Sequence, residues 1–395
     1  MVKLARMNSR LVNLKAWRQL LRPVLICALL LSVSVNVSAK INGACSNCHT
    51  MHNSQDGSAV AYDVSGTLTA TPNAKLLIYA TCLGCHTGTN GDGKNIPYVL
   101  TTTGINYGVS ADVGTGTEGS ANTLAGGNFY WVESDDAVGH NVQGLTNSSD
   151  GNLTTPPGFS TSFSANGAVD SSWAAGELTC AGTNGCHGEH HDGTNPITDQ
   201  FQAVNGGHHG DDSTIDGSTV TKSYRFLYGI IGFEDSDWEY RPTSTTHNQY
   251  HGDARGSTGA PPSDTSTISY LCAECHGNFH AGSGSLATGT TAASPWWRHP
   301  VDFDLSDATG SEYANYGGAS HTYQVVTPVA SDLGTSVTNT GTTTDLGSVL
   351  STGSDAIVTC ISCHRAHGTP HYKMMRWDYA GGIGGDCDNC HTTKN

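Results

Sequence analysis

A chain of 395 residues is long enough for two average domains, yet only 36% of it is hydrophobic, 13% is charged and 49 residues are glycine. That is too little apolar material for an ordinary core of this size. Residues 1–39 hold six basic and no acidic side chains, so the remainder carries 12 Lys and Arg against 34 Asp and Glu, a formal charge of −22, which argues against nucleic acid as a partner and for an exported protein.

Residues 1–39 read as a secretory signal. Lys3, Arg6, Arg10, Lys15, Arg18 and Arg22 precede an apolar run over 24–35, and a small-residue cleavage site ends at Ala39. The run is too short for a spanning helix, which needs ~20 residues, so no membrane span is expected after cleavage. Cys27 lies inside the run without a small residue before it and reads as part of the signal rather than as a lipid-anchored cysteine. Residues 40–395 read as a single unit.

The first motif after the signal is Cys45-Ser-Asn-Cys48-His49-Thr-Met-His52. A Cys-x-x-Cys-His run places two thiols to form thioethers with a haem while the histidine ligates the iron. The pattern recurs at Cys82/Cys85/His86, Cys272/Cys275/His276, Cys360/Cys363/His364 and Cys387/Cys390/His391, and in stretched form at Cys180/Cys186/His187. These six sites use twelve of the 13 cysteines, leaving only Cys27, so a disulfide framework is the weaker reading. Six covalent haem c groups would also supply the missing apolar surface, at roughly 25 cal/mol per Å² buried. At the stretched site five residues separate the cysteines, and Gly182 and Gly185 make the required bulge feasible. Whether Cys180 carries a thioether stays open at this point.

Between the sites the chain is rich in Gly, Ser, Thr and Asn, with little helical periodicity. A short helix is expected to end at 74–79, just before the second site, and Gln324-Val325-Val326 is a candidate strand. The expected fold class is a multihaem cytochrome c: mostly coil, short helices at the haem sites, few short strands and a haem-scaffolded core.

Of 19 histidines, six are proximal ligands and thirteen remain for the opposite faces. Methionine, the usual rival, is scarce: Met1 and Met7 leave with the signal, and Met51, Met374 and Met375 remain. Bis-histidine ligation throughout is therefore expected, with no open position for a substrate. His52, His190, His280 and His367 follow an attachment histidine by three or four residues, about one helical turn. Each lies on the wrong side to reach the far face of the same haem, so it would serve a neighbour and hold two macrocycles close. His140 and His299 stand in glycine-rich or aromatic surroundings suited to a flat ring. His191, His208, His209, His247, His251, His321 and His371 are reserves. His208 and His209 with Asp211 and Asp212 could bind a divalent cation, although a polar loop is the plainer reading. Asn90-Gly-Asp92-Gly-Lys-Asn95 lacks the glutamate of a calcium loop and reads as a turn.

Taken together, Cys45-x-x-Cys-His-Thr-Met-His-Asn-Ser54, Asn128-Phe-Tyr-Trp-Val132, Gly139-His-Asn-Val142, Trp297-Arg-His-Pro300, Cys360-x-x-Cys-His-Arg-Ala-His367 and Met375-Arg-Trp377 resemble the extracellular hexahaem c-type cytochromes that polymerise into conducting filaments, the OmcS type of metal-respiring bacteria. The resemblance implies six bis-histidine haems in alternating parallel and T-shaped pairs. It also implies that His52 ligates a haem of the next subunit in a homopolymer, that at Cys360/Cys363. His140, His190, His280, His299 and His367 would then fill the other distal positions. The five-residue spacer after Cys180 departs from the family pattern.

These observations lead to electron transfer along a haem row, in a secreted, extracellular or cell-surface protein. Its redox partners would be outer-membrane or periplasmic cytochromes and extracellular metal oxides. A monomeric periplasmic shuttle is the first alternative. A multihaem oxyanion reductase is the second, but no lysine replaces an attachment histidine to mark an open haem.

Overall fold

The structure, a computed structural model, describes residues 43–91, 96–101, 123–146, 153, 155–159, 178–240, 242–243, 246–253, 264–280, 301–305, 316, 323–332, 337–338, 356–378 and 385–392. The signal segment, Cys27, His299 and His321 lie outside these residues, and the side chain of His280 is likewise not described.

Regular structure is sparse, as the glycine-rich segments lead one to expect. The described α-helices are α1 (Cys82–His86), α2 (Gln200–Ala203) and α3 (Ile268–His280), and short 3-10 turns open other attachment sites at Cys45–Asn47, Cys360–Ser362 and Gly385–Asn389. Five of the six cysteine motifs thus lie on a helical turn, the stretched third one being the exception. The Thr81 hydroxyl caps α1 by accepting from Gly84 N–H at 3.1 Å, and Asp199 caps α2. At Thr359 a capping box with Ser362 opens the fifth site.

The described strands are two residues long and pair only as antiparallel ribbons: β1 (Ala61–Tyr62) with β2 (Leu68–Thr69), β3 (His191–Asp192) with β4 (Asn195–Pro196), β5 (Thr214–Ile215) with β9 (Val337–Thr338), β6 (Gly232–Phe233) with β7 (Gln249–Tyr250), and β8 (Phe303–Asp304) with β10 (Ile357–Val358). Such ribbons are too small to bury a face by themselves. They hold loops in register around the attachment sites.

Two expected elements are absent. Residues 74–79 form a turn rather than a helix. The Asn73 side chain accepts from the Lys75 and Leu77 amides, Leu76 adopts φ +55°, and the strip is tied to the first site by Thr50 N–H to Leu76 O and Ile78 N–H to Cys48 O. Side-chain capping of a turn and tertiary hydrogen bonds win over a helical run of this length. Gln324-Val325-Val326 is a buried bend, closed by Thr327 N–H to Gln324 O, rather than a strand.

Apolar packing is split into clusters, and the three largest each touch a cysteine motif. Leu83, Phe129, Val132, Val142 and Leu145 gather beside Cys180. Ile215, Tyr224, Tyr250, Ile268, Leu271 and Ile357 gather beside Ile361, and Val301, Leu305, Tyr316, Tyr323 and Val329 beside Cys360 and Cys390. The described residues also include a polar knot in which Arg225 N–H donates to Glu234 at 2.6 Å and Glu239 accepts from Asn248 N–H at 2.8 Å.

Candidate metal centres

Four of the attachment motifs close on themselves in the same way. His49 N–H donates to Cys45 O at 2.9 Å, His364 N–H to Cys360 O at 3.0 Å and His391 N–H to Cys387 O at 2.9 Å. At the stretched site His187 N–H donates to Cys180 O at 2.9 Å, across the five-residue insertion. The extra residues are looped out, with Gly182 N–H on His187 O and Gly185 N–H on Gly182 O. Both glycines are required. A Cβ on Gly182 would stand 2.4 Å from Ile197 O at a φ of +90°, and one on Gly185 would stand 2.5 Å from Ala181 N. The insertion therefore leaves the first cysteine and the histidine in the relation found at the regular sites.

The attachment histidines are oriented from behind. Nδ1 faces a backbone carbonyl in five of them: His49 to Lys75 O at 3.1 Å, His86 to Pro97 O at 2.8 Å, His187 to Arg225 O at 2.9 Å, His276 to Pro157 O at 2.6 Å and His364 to Lys373 O at 2.9 Å. A carbonyl can only accept, so Nδ1 carries the proton and Nε2 keeps its lone pair for a metal.

The sites follow one another in space in chain order. Cys82 Sγ and Cys180 N–H both donate to Gln200 Oε1, at 3.8 and 2.9 Å, and the neighbouring thiols lower the pKa of Cys82 and raise that of Cys180; Cys360 N–H donates to Ser269 Oγ at 3.3 Å, and the Cys360 thiol raises Cys272. Burial pushes Cys85 up to about 11, with Cys48 adding to it, and pushes Cys275 up with help from Cys186. Burial likewise pushes Cys363 up to about 12, reinforced by Cys390 and Cys387. All twelve described cysteines are free of disulfides.

Four attachment histidines face a second imidazole. The ring centroids are 6.2 Å apart for His49 and His209, 6.4 Å for His86 and His208, 6.4 Å for His187 and His367, and 6.2 Å for His276 and His140. Two metal–nitrogen bonds of about 2 Å, with roughly 1 Å from each nitrogen to its ring centre, sum to roughly 6 Å. The donor set and its spacing fit one iron between each pair. Burial pulls His140 down to about 4 and His367 to about 3, with the facing His276 and His187 next in size. Both rings are thereby held in the neutral form that a metal takes.

His208 and His209, which the sequence left among the reserve histidines rather than among the distal candidates, are the two that the geometry brings forward. They sit on one 3-10 turn, Gly207–His209, entered from Gly206 at φ +79°, and the turn sends the two rings to neighbouring sites. A pair of adjacent histidines after a Gly-Gly hinge was the available signal. Asp211 instead accepts from Ser213 N–H, and among the described residues no three His, Cys, Asp or Glu side chains converge on one point.

His140 and His367 are joined by His140 N–H to His367 O at 3.2 Å, and His140 Nδ1 faces Ala366 O at 2.6 Å. His367 stacks on Phe129 at 4.8 Å, where Gly126 leaves the space that a Cβ would take. His190 is half-buried, with Nδ1 3.2 Å from Glu274 and a buried Nε2 that has no hydrogen-bond partner. His52 is exposed. Among the reserves, His247 stacks on Tyr323 at 4.0 Å and His251 pairs with Asp264 at 2.7 Å. Of the possible calcium loop, Asn90 exchanges hydrogen bonds with Tyr98 and residues 92–95 lie outside the described residues.

No protein-family model matches the chain. It is 25% identical, over an alignment of 410 positions covering 90% of this chain and 84% of the relative, to the C-type cytochrome OmcS of Geobacter sulfurreducens. Among solved structures, the Outer Membrane Cytochrome S filament from Geobacter sulfurreducens is 20% identical with a TM-score of 0.39, covering 86% of this chain and 84% of that one. A second, of the OmcS nanowires from the same organism, is 19% identical with a TM-score of 0.38, covering 84% and 83%. Over nearly its whole length, the chain resembles the OmcS-type c-type cytochromes, as its ordered motifs imply.

Proposed function

We propose that this chain is an exported electron-transfer protein, a multihaem c-type cytochrome that holds six haems in a row and polymerises into an extracellular filament serving acceptors such as metal oxides. The observation that supports it most is the set of four imidazole pairs at 6.2–6.4 Å, each containing one attachment histidine. When bound, each haem supplies one-electron iron chemistry.

The chain's own residues hold and orient that chemistry. The six cysteine pairs fix each group to the backbone, with Cys180 included through the His187–Cys180 closure. His49, His86, His187, His276, His364 and His391 bind from the attachment side. His209, His208, His367 and His140 bind opposite the first four of them. Backbone carbonyls behind the attachment rings keep Nε2 forward. With the fifth haem given to His52 below, one distal position is left: His190, backed by Glu274, presents a buried Nε2 suited to such a position, and His280 and His299 are the other candidates for it. Imidazole on both faces leaves no position for a reductase's substrate.

The subunit link is assigned to His52. It is exposed beside Met51 and near Leu76, both also exposed, and among the described residues no second ring stands against His364. These facts are what ligation of the fifth haem by the next subunit's N-terminal region requires. Residues 1–39 are assigned to export. The test is intact mass and electron microscopy of the secreted protein. Six added haems, low-spin spectra and filaments are expected; fewer haems, or ready carbon monoxide binding to the reduced protein, would overturn the proposal.

A further inference from the structure

Buried charge is distributed unevenly along the row. Two guanidiniums are built into the fifth site. Arg365, directly after His364, is 2% exposed and donates through Nη1 to Leu124 O and Ala125 O, both at 3.0 Å. Arg376 is 1% exposed; its Nε donates to Ile361 O at 2.7 Å, between the two cysteines of the motif, and its Nη1 to Val325 O at 3.3 Å. The amide of Arg376 donates to Cys363 O at 2.8 Å. Glu239 faces Arg376, and burial raises that carboxyl to about 7, so it offsets the guanidinium only in part.

The fourth site carries the opposite sign. Glu274 lies between Cys272 and Cys275, is 7% exposed, and stands 3.2 Å from His190 Nδ1. The two sites are immediate neighbours, since Cys360 N–H donates at 3.3 Å to Ser269 Oγ on the helix that carries Cys272. A buried positive charge favours the reduced, less positive iron, and a buried carboxylate favours the oxidised one; both act at short range in a low-dielectric interior.

We infer that the row contains a potential step between its fourth and fifth haems: the haem at Cys360/Cys363 is the highest in potential, made so by Arg365 and Arg376, and the haem at Cys272/Cys275 is the lowest, made so by Glu274. The fifth haem is then where an electron rests within a subunit. Because the proposed junction to the next subunit is at the same haem, the electron waits at the point of transfer between copies. This rests on the six-haem reading above.

The test is a potentiometric titration of the purified holoprotein, followed at the haem absorption bands, with Arg365→Gln, Arg365→Lys, Arg376→Gln and Glu274→Gln. Each is first weighed intact to establish six haems. The wild-type curve should be broad. Arg365→Gln and Arg376→Gln should move its highest component down, Arg365→Lys should restore that component, and Glu274→Gln should move its lowest component up. A narrow wild-type curve overturns the inference without any variant. So does a six-haem arginine variant whose highest component stays in place, or a Glu274→Gln protein whose lowest component does. A wild-type mass with fewer than six haems instead defeats the functional reading on which this one stands.

Discussion

At the scale of single residues, the distal imidazoles are where the structure adds most. The proposed attachment cysteines are marked by local spacing, because a thioether site needs two thiols and a histidine within a few residues of one another. The opposite ligand carries no such constraint. His209 and His208 meet His49 and His86 from far along the chain, and nothing local marks them apart from the glycine hinge. His208→Ala and His209→Ala are each expected to turn one haem's share of the low-spin spectrum high-spin, with carbon monoxide binding appearing on reduction and the haem count unchanged by mass. His191→Ala should leave the spectrum as it is.

Glu239 gives a prediction of pH dependence. Burial raises its carboxyl from 4.5 to about 7, so between those values the folded chain binds more protons than the unfolded one. The protonated form's contribution is fully present below about 4.5 and is lost as pH rises through about 7, at most on the order of 3 kcal/mol. Denaturation midpoints at pH 5 and pH 8 should therefore differ more in the wild type than in Glu239→Gln.

At the scale of elements, the chain uses turns where a conventional protein uses helices. Residues 74–79 have a helical composition but serve to brace the first site through Thr50 and Cys48. The buried bend at Val325 receives Arg376. Both expectations failed for one reason: local propensity was outweighed by hydrogen bonds to an attachment site whose position no pattern in the segment reveals. The mostly coil character was legible, because 49 glycines and scarce periodicity leave little else. The stretched third motif was legible too, since Gly182 and Gly185 were the residues that permit the loop. Gly182→Ala is expected to cost about 1–3 kcal/mol from backbone strain alone, with the clash at Ile197 O in addition. A lower melting temperature should be measured, together with partial loss of the third haem by mass.

At the scale of the whole molecule, six attachment sites in chain order replace one continuous core with several small ones strung along a path. Removing a single site should then loosen its own cluster more than distant ones, a difference that amide exchange can read. His52→Ala should keep six haems by mass and yet yield no filaments in electron microscopy. Filaments of normal length from that variant would place the subunit link elsewhere.

The contacts of Cys82 with Cys180 and of Cys272 with Cys360 bear on how such a protein is made. A chain that folded before receiving its cofactors would bring these thiols together across motif boundaries, in a compartment that oxidises close thiols to disulfides. Such crosslinks would consume four of the twelve attachment points. On the proposed six-haem reading, covalent loading of the extended chain would therefore come before folding.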